Sequence, residues 1–546
     1  MGSSFKYYLS FVIFLFVCLL GVKTQNVTLT IPLNKTTSIS NKEVFGQFVN
    51  LNASSTLQVG FVNGTKLISF IIFQVHSHHY NVTVYNNTLT RSSSVYGTNI
   101  GLYSSVKPPL DKFYVSNQNT VDIKLYIVVH GYGSTDPVPG GCNMEFQPSI
   151  SPYLHTSYTN DYVLVEAASA RDSSDIACTS INDVNVVFYL MYLEERNFDT
   201  DVYFEGIKSM LTLDNITDNA EIVPQTTWRM RRMLGAYPGT GAIYVAVAYS
   251  AVNSSAYSVY VPTYSYACSP LDDSCELLDD VLSQLLCASL LFFGMFLCYF
   301  GHRFFKTEMF LIGLISGVII TYILISLIAE LERPALLGAA ILSGACFGFI
   351  WLLFWWFYGI PVFAVLLSTL NLGFLFAALM YFGLPGGFET LQVDFNFWTL
   401  FILIMSITSL ILLSTTFLSN ILCCAILGAY ATVYPIDYYV GSNLKYIIIN
   451  TVRRAVVPKF NSAVLSPPFQ WADALITLLW LSLATTGFLF QHYQNRRKPP
   501  FPPPPRSIRP SLPDTTYGTA GRRYRDTLQR PPTSARRQTE YTPLLS

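Results

Sequence analysis

Apolar and polar positions follow two different patterns along this chain. Between residues 281 and 491 the apolar positions gather into seven long runs: Val281–Phe300, Met309–Ile328, Ala335–Trp356, Gly359–Phe382, Phe397–Leu418, Asn420–Val440 and Ala474–Gln491. Each is close to the roughly 20 residues a helix needs to cross a bilayer core, which predicts seven spanning helices. Before residue 281 the apolar runs are short. Leu67–Val75, Val121–Val129, Val184–Met191 and Ala242–Ala248 are rich in β-branched and aromatic residues, bounded by Gly, Asn, Ser and Asp, and predict strands. Trp228–Leu234 is the one candidate there for an amphipathic helix. About 255 residues of such strands exceed one ordinary sandwich and fit two β-sandwiches in tandem. The boundary is expected in the turn-rich Gly131–Gly141 (GYGSTDPVPGG). The expected fold is thus an all-β ectodomain followed by a membrane α-helical bundle of seven spans. At the N-terminus, Lys6 precedes the apolar run Tyr7–Leu20, the pattern of a signal peptide, with cleavage between Gly21 and Gln25. The resulting division is 1–24 signal peptide, 25–135 and 136–280 β-rich domains, 281–491 membrane domain and 492–546 tail.

Charge sharpens this division. The chain has 33 Lys and Arg against 33 Asp and Glu, but residues 25–280 hold 23 acidic and 13 basic residues, and residues 492–546 hold 3 acidic and 11 basic ones. A mean hydropathy of +0.38 excludes a simple soluble globule. The acidic N-terminal part and the basic tail, on either side of an odd number of spans, place the ectodomain outside or in the lumen and the tail in the cytosol. Eight Asn-X-Ser/Thr sequons, at Asn26, Asn34, Asn52, Asn63, Asn81, Asn86, Asn215 and Asn253, all precede the first span, which suits a glycosylated lumenal domain. Cys142, Cys178, Cys268 and Cys275 form an even set in that compartment and imply two disulfides. Of three possible connectivities, Cys142–Cys178 and Cys268–Cys275 are favoured. Cys287, Cys298, Cys346, Cys423 and Cys424 fall in apolar spans and are expected to be buried thiols.

Candidate chemistry is sparse. His76, His78 and His79 form the one histidine cluster. His76 and His78 would share a strand face at metal-compatible spacing, but with no acidic or Cys partner nearby a solvated strand end beside Asn81 is the simpler expectation. Asp136 in DPVPGGC fits an Asp-Pro turn better than a calcium site. No nucleophile elbow, P-loop or dinucleotide fingerprint occurs; no enzyme activity, cofactor or nucleic-acid partner is expected. In the membrane domain, Gly313/Gly317 and Gly344/Gly348 form two GxxxG pairs suited to helix packing within the bundle. Asp437, two residues after Pro435, is the one acid deep in a span. It would either face a cavity, as a transporter or channel requires, or sit in water at the lumenal end of its helix. The Gly441–Asp473 loop carries Lys445, Arg453, Arg454 and Lys459 against the positive-inside rule, and its amphipathic Leu444–Val457 segment is expected to lie in the interface or re-enter. Very short connections at Phe357–Tyr358 and Ser419 argue against a G-protein-coupled receptor, and the scarcity of His within the spans argues against an intramembrane metal hydrolase.

The tail begins with Arg496, Arg497 and Lys498, suited to anionic headgroups. Pro499–Pro505 (PPFPPPP) follows, a polyproline stretch that should not pack a core and could dock an SH3-type module. The terminus offers two sorting patterns for trafficking adaptors: acidic dileucine (Glu540 with Leu544 and Leu545) and Tyr541 with Leu544. These would allow cycling between the cell membrane and endosomes or lysosomes.

Several strings carry a resemblance. Ile71–Ser77 (IIFQVHS), Asp136–Asn143 (DPVPGGCN), Tyr266–Cys268, Phe300–Glu308 (FGHRFFKTE) and Thr542–Leu545 resemble the transmembrane 7 superfamily member 3 family, from about residue 60 onward. The resemblance implies a multi-pass surface or endomembrane protein linked to cell survival (negative regulation of programmed cell death), stress response and protein homeostasis, with no catalytic residues carried over. The spans are also similar to a Wnt-associated seven-span family, which implies a scaffold or receptor as an alternative.

Overall fold

A computed structural model describes residues 26–33, 42–62, 67–87, 89–90, 93–107, 111–172, 178–179, 183–226, 228–253, 255–272, 274–275, 281–329, 331–384 and 388–502. The chain divides into two compact units, Met1–Cys275 and Glu276–Ser546.

The first unit opens with a two-sheet sandwich. Its strands are β1 (Asn26–Pro32), β2 (Glu43–Leu51), β3 (Thr56–Val62), β4 (Phe70–Ser77), β5 (Val82–Asn86), β6 (Ser94–Gly97), β7 (Asn99–Ser105), β8 (Phe113–Ser116) and β9 (Ile123–Tyr132). One sheet runs β1-β3-β8-β5-β6 and the other β2-β9-β4-β7. The inner faces meet around Leu57, Val59, Phe73, Val75, Val84, Phe113, Leu125 and Ile127, with Phe73 stacked on Phe113 at 4.8 Å. A sandwich strand ordinarily alternates between core and solvent. β4 does not: all eight residues are buried. Its second face is covered by the next domain, which is why its sequence reads as a continuous apolar run.

That next domain holds β10 (Leu154–Tyr158), β11 (Tyr162–Ala167), β12 (Val184–Glu195), β13 (Glu221–Val223), β14 (Arg231–Gly235), β15 (Thr240–Ser250), β16 (Tyr257–Val259) and β17 (Thr263–Ser265). They build a β10-β11-β14 sheet and a β13-β12-β15-β16 sheet, with β17 also on β15. Between β12 and β13 lie helices α1 (Thr200–Lys208) and α2 (Leu213–Asn219). The expected helix at Trp228–Leu234 is not formed; β14 occupies part of it. α1 forms because Asp199 caps its N-terminus by accepting from Asp201 N and Lys208 complements its last turn. Its Tyr203, Phe204 and Ile207 bury against Tyr126 and Val128 of β9, so the two sandwiches share an apolar interface. Lys42 and Asp136 pin that junction: Lys42 Nζ donates to Asp136 Oδ1 at 2.8 Å and to Tyr257 O at 2.5 Å, while Asp136 Oδ2 accepts from Gly133 N at 2.8 Å. Asp136 therefore does more than make an Asp-Pro turn.

The second unit is helical: α3 (Val281–Phe300), α4 (Phe305–Ile328), α5 (Arg333–Tyr358), α6 (Pro361–Gly383), α7 (Glu389–Gln392), α8 (Asp394–Leu413), α9 (Thr416–Val440), α10 (Tyr446–Val456) and α11 (Trp471–Asn495). Seven of these, α3, α4 with its preceding turn from His302, α5, α6, α8, α9 and α11, are long and apolar enough to cross a membrane. α9 packs against α3, α6, α8 and α11 and is the most internal. α4 and α5 pack through their two GxxxG pairs. A Cβ on Gly313 would come within 2.8 Å of Gly348 Cα, and one on Gly317 within 2.8 Å of Gly344 Cα. Lacking side chains there, the two backbones approach closely.

Three expectations need correction in this unit. Cys346 is exposed rather than buried, unlike Cys287, Cys298, Cys423 and Cys424. The Leu444–Val457 segment does contain a helix, α10, but its Ile447, Asn450, Thr451, Arg453 and Arg454 are buried in protein. The start of the proline-rich stretch also packs: Phe501 is buried against His302 and Phe305, with ring centroids 5.7 and 5.3 Å apart.

Candidate functional site

Sequence reasoning singled out one histidine cluster and one intramembrane acid. The histidines lie at the interface between the two sandwiches. His76 and His130 project from neighbouring β4 and β9 on the face that meets the second domain. His76 Nδ1 lies 2.7 Å from Asn99 Oδ1, and Gln74 bridges the two rings, 3.2 Å from His76 Nε2 and 2.9 Å from His130 Nδ1. Tyr203 of α1 reaches across, donating to Asn99 Oδ1 at 2.7 Å and Ser77 O at 3.0 Å. His78 stacks on Tyr203 and meets Tyr266 Oη and Thr200 Oγ1, both at 3.2 Å. The expected solvated strand end is thus a buried layer, with only His79 half-buried. Desolvation pushes the pKa of His76 down to about 4 and those of His78 and His130 to about 3. Among the described residues no group of three or more His, Cys, Asp or Glu is placed to hold a metal ion.

Asp437 sits one turn before the end of α9, where Gly441 takes the left-handed conformation (φ 93°) and turns the chain back. Its carboxylate is fully buried, not in water. Oδ2 accepts from Lys445 N at 2.7 Å and lies 3.6 Å from Lys445 Nζ. Oδ1 accepts from Ser442 Oγ, whose own carbonyl accepts from Lys445 Nζ. Asp473, at the start of α11, accepts from Asn443 N at 2.6 Å and from Gln470 N at 2.9 Å. Two carboxylates therefore stitch the Gly441–Lys445 turn to the helices around it. Arg454 is held likewise, donating to Leu391 O at 2.8 Å and pairing with Asp394 at 3.0 Å; Arg453 lies over the Tyr446 ring. Of the basic residues that disagreed with the positive-inside rule, Lys445 and Arg454 are thus paired with carboxylates, Arg453 is buried and Lys459 is exposed.

A second buried polar centre escaped sequence reasoning. Asn420, at the start of α9, donates from Nδ2 to Glu308 Oε2 and meets His302 Nδ1, both at 3.0 Å. Gln491 of α11 accepts from His302 N at 3.0 Å and donates to Cys298 O at 2.7 Å. Glu308 is the first-turn acid of α4 and is buried, which a local reading of Phe300–Glu308 does not reveal. Asp437 lies seventeen positions after Asn420 along α9, about 25 Å of helix. The buried residues between them are mostly Cys, Ala and Gly with Tyr430, Thr432 and Val433.

The remaining site residues divide by exposure. The disulfides join Cys142 to Cys178 and Cys268 to Cys275. Of the sequon asparagines, Asn52, Asn215 and Asn253 are exposed and Asn81 and Asn86 half-buried. Asn34, Asn63, the Asn26 side chain, residues 1–24 and Glu540, Tyr541, Leu544 and Leu545 lie outside the described residues.

Tandem sandwiches followed by seven spanning helices define a multi-pass membrane protein with an immunoglobulin-like ectodomain. Family models match in the same order: the TM7SF3-like N-terminal immunoglobulin-like domain over residues 22–132, the TM7SF3-like second immunoglobulin-like domain over 137–271 and the TM7S3/TM198-like domain over 287–492. Transmembrane 7 superfamily member 3 of Rattus norvegicus is 31% identical over 457 residues, 80% of each chain. The Homo sapiens protein of that name is 30% identical over the same span, and the Mus musculus one 30% over 480 residues, 84% of each chain. The chain belongs to the transmembrane 7 superfamily member 3 family.

Proposed function

We propose that this protein is a non-enzymatic, glycosylated, signal-peptide-bearing protein of the cell membrane. Its ectodomain faces the outside or lumen and its tail faces the cytosol. It acts as a signalling or scaffolding element that supports cell survival by restraining programmed cell death under stress and in protein homeostasis. The observation that carries a scaffold over a transporter is the Asp437 site: its carboxylate is occupied by Lys445 and Ser442. A carboxylate already engaged by an ammonium and a hydroxyl holds a turn together and is a poor stopping point for a travelling ion. Exposed Asn52, Asn215 and Asn253 support glycan attachment, and Glu540, Tyr541, Leu544 and Leu545 support adaptor-driven cycling to endosomes.

The test pairs two assays in cells lacking the protein. Re-expression should lower caspase activation under secretory-pathway stress. Asp437→Asn, matched to wild type for surface level, should leave ion and solute flux unchanged. Unaltered caspase activation would refute the survival role; a flux lost with Asp437→Asn would install the transporter reading.

A further inference from the structure

Phe501 is the one residue in Pro499–Pro505 that is not proline. A polyproline II segment is extended and has no internal hydrogen bonds, so it offers its own aromatic nothing to bury against. The bundle supplies the seat instead. Phe501 is 3% exposed and clusters with Phe305, Met309, Trp355 and Val365 of α4, α5 and α6, its ring edge-on to His302 and Phe305. The Pro500 carbonyl accepts from the His302 ring. Around these contacts the segment is open: Arg496, Arg497, Lys498 and Pro499 are exposed and Pro502 is half-buried.

Phe501 also begins the string Phe501–Pro505 (FPPPP), of which Pro503, Pro504 and Pro505 lie outside the described residues. A pure anchor needs an apolar side chain and gains nothing from four prolines after it. Prolines that pre-set an extended segment suit the aromatic-lined groove of a polyproline-reading domain. Among such domains the SH3 type reads prolines with a flanking cation and leaves the aromatic idle, whereas the EVH1 type seats an aromatic ahead of a proline run. We propose that Phe501–Pro505 is a docking motif for an EVH1-type domain, masked while Phe501 sits in the bundle. One ring cannot occupy both seats, so partner binding and tail docking exclude each other. Seating a phenylalanine is worth about ten- to a hundredfold, and the apparent affinity for the partner falls by that factor. The inference rests on the cytosolic tail proposed above, since such domains are cytosolic.

The test measures binding of a purified EVH1-type domain to the full-length protein in detergent and to a synthetic peptide of residues 496–510, which has no bundle to dock on. The wild-type peptide should bind about ten- to a hundredfold more tightly than the wild-type protein. Phe501→Ala should weaken the peptide about thirtyfold and bring protein and peptide to equal affinity, because nothing is left to mask. In the wild-type protein, adding the domain should speed amide exchange over His302–Phe305 as the ring leaves. The inference is overturned by a wild-type peptide that does not bind, by equal affinities of wild-type protein and peptide, or by a Phe501→Ala peptide that binds as well as wild type, which would return the prolines to an SH3-type reader. If the full-length variant does not fold, the two peptides, the wild-type protein and its exchange still decide the matter. Purified protein gives these results whichever side of the membrane the tail occupies, so a misplaced tail, read by protease protection in vesicles, is told apart from a failed motif.

Discussion

The histidine layer between the two sandwiches and the Asp437–Lys445 pair in the bundle both take ionisable groups out of solvent, and they do it in different charge states. The histidines are held neutral, spread over aromatic rings and amides, and the cost of that choice appears only when protons become abundant. Asp437 and Lys445 are held as partners, each also bonded to the Gly441–Lys445 turn, and the cost appears only when one partner is taken away. The lesson is that a buried polar group's weakness lies in the state its surroundings were not built for. The two halves should therefore break under different challenges.

The largest effect should follow from removing one partner in the bundle. Asp437→Ala leaves an uncompensated ammonium in a dry site and should cost about 3–5 kcal/mol, seen as a lower thermal midpoint of the detergent-solubilised protein and poor surface delivery. Pairing it with Lys445→Met should recover most of the loss. A midpoint unmoved by the single substitution would remove the ion pair from one side of the contrast. The buried pair excludes an Asp437 that sits in water at the lumenal end of its helix.

Acid should act on the other half. His78 and His130, depressed to about 3, bind a proton in the unfolded chain below its ordinary pKa of about 6.5 but not in the fold. Their contribution is thus complete above about pH 6.5 and declines as pH falls from there toward 3. At pH 5 each costs about 2 kcal/mol. His76, near 4 and with oxygens facing both ring nitrogens, contributes less. Amide exchange corrected for intrinsic rates should show β4, β9 and α1 losing protection together between pH 7.5 and 5. Protection that stays constant across this range would mean that the imidazoles keep solvent access and the layer is not dry.

The contrast also explains what the sequence could reveal. Spans and paired cysteines were legible because hydropathy and compartment are summed over many residues or set by parity. The ends of the spans were not. Glu308, Asn420 and Asp394 lower local hydropathy, yet their partners, respectively the Asn420 amide, His302 and Arg454, come from distant segments. A window along the chain cannot see a partner across the bundle. The same blindness turned HSHHY into a solvated strand end, since its cover arrives with Tyr203, about 125 residues later. α1 was legible in principle: Asp199 as a cap, then Tyr203, Phe204 and Ile207 on one face. Its nine residues were too few to stand out among strands.

The smallest effect isolates the link between the two sandwiches. Tyr203 Oη spans them, donating toward Asn99 Oδ1 and Ser77 O, and its ring carries His78. Tyr203→Phe keeps the ring, the stacking and the apolar contact with Tyr126, and removes only the hydroxyl. Asn99 Oδ1 still has His76 Nδ1 as a partner, so the loss should be about 1–2 kcal/mol rather than the full penalty of an orphaned acceptor. Without Tyr203's competing bond, His76 keeps Asn99 to itself and its environment becomes slightly more tolerant of a proton. The variant should therefore be less stable at pH 7.5, and the gap to wild type should narrow as pH falls toward 5. Thermal midpoints of both full-length proteins at the two pH values check this. A gap that widens on acidification would mean that the hydroxyl, not the imidazoles, sets the acid response of this interface.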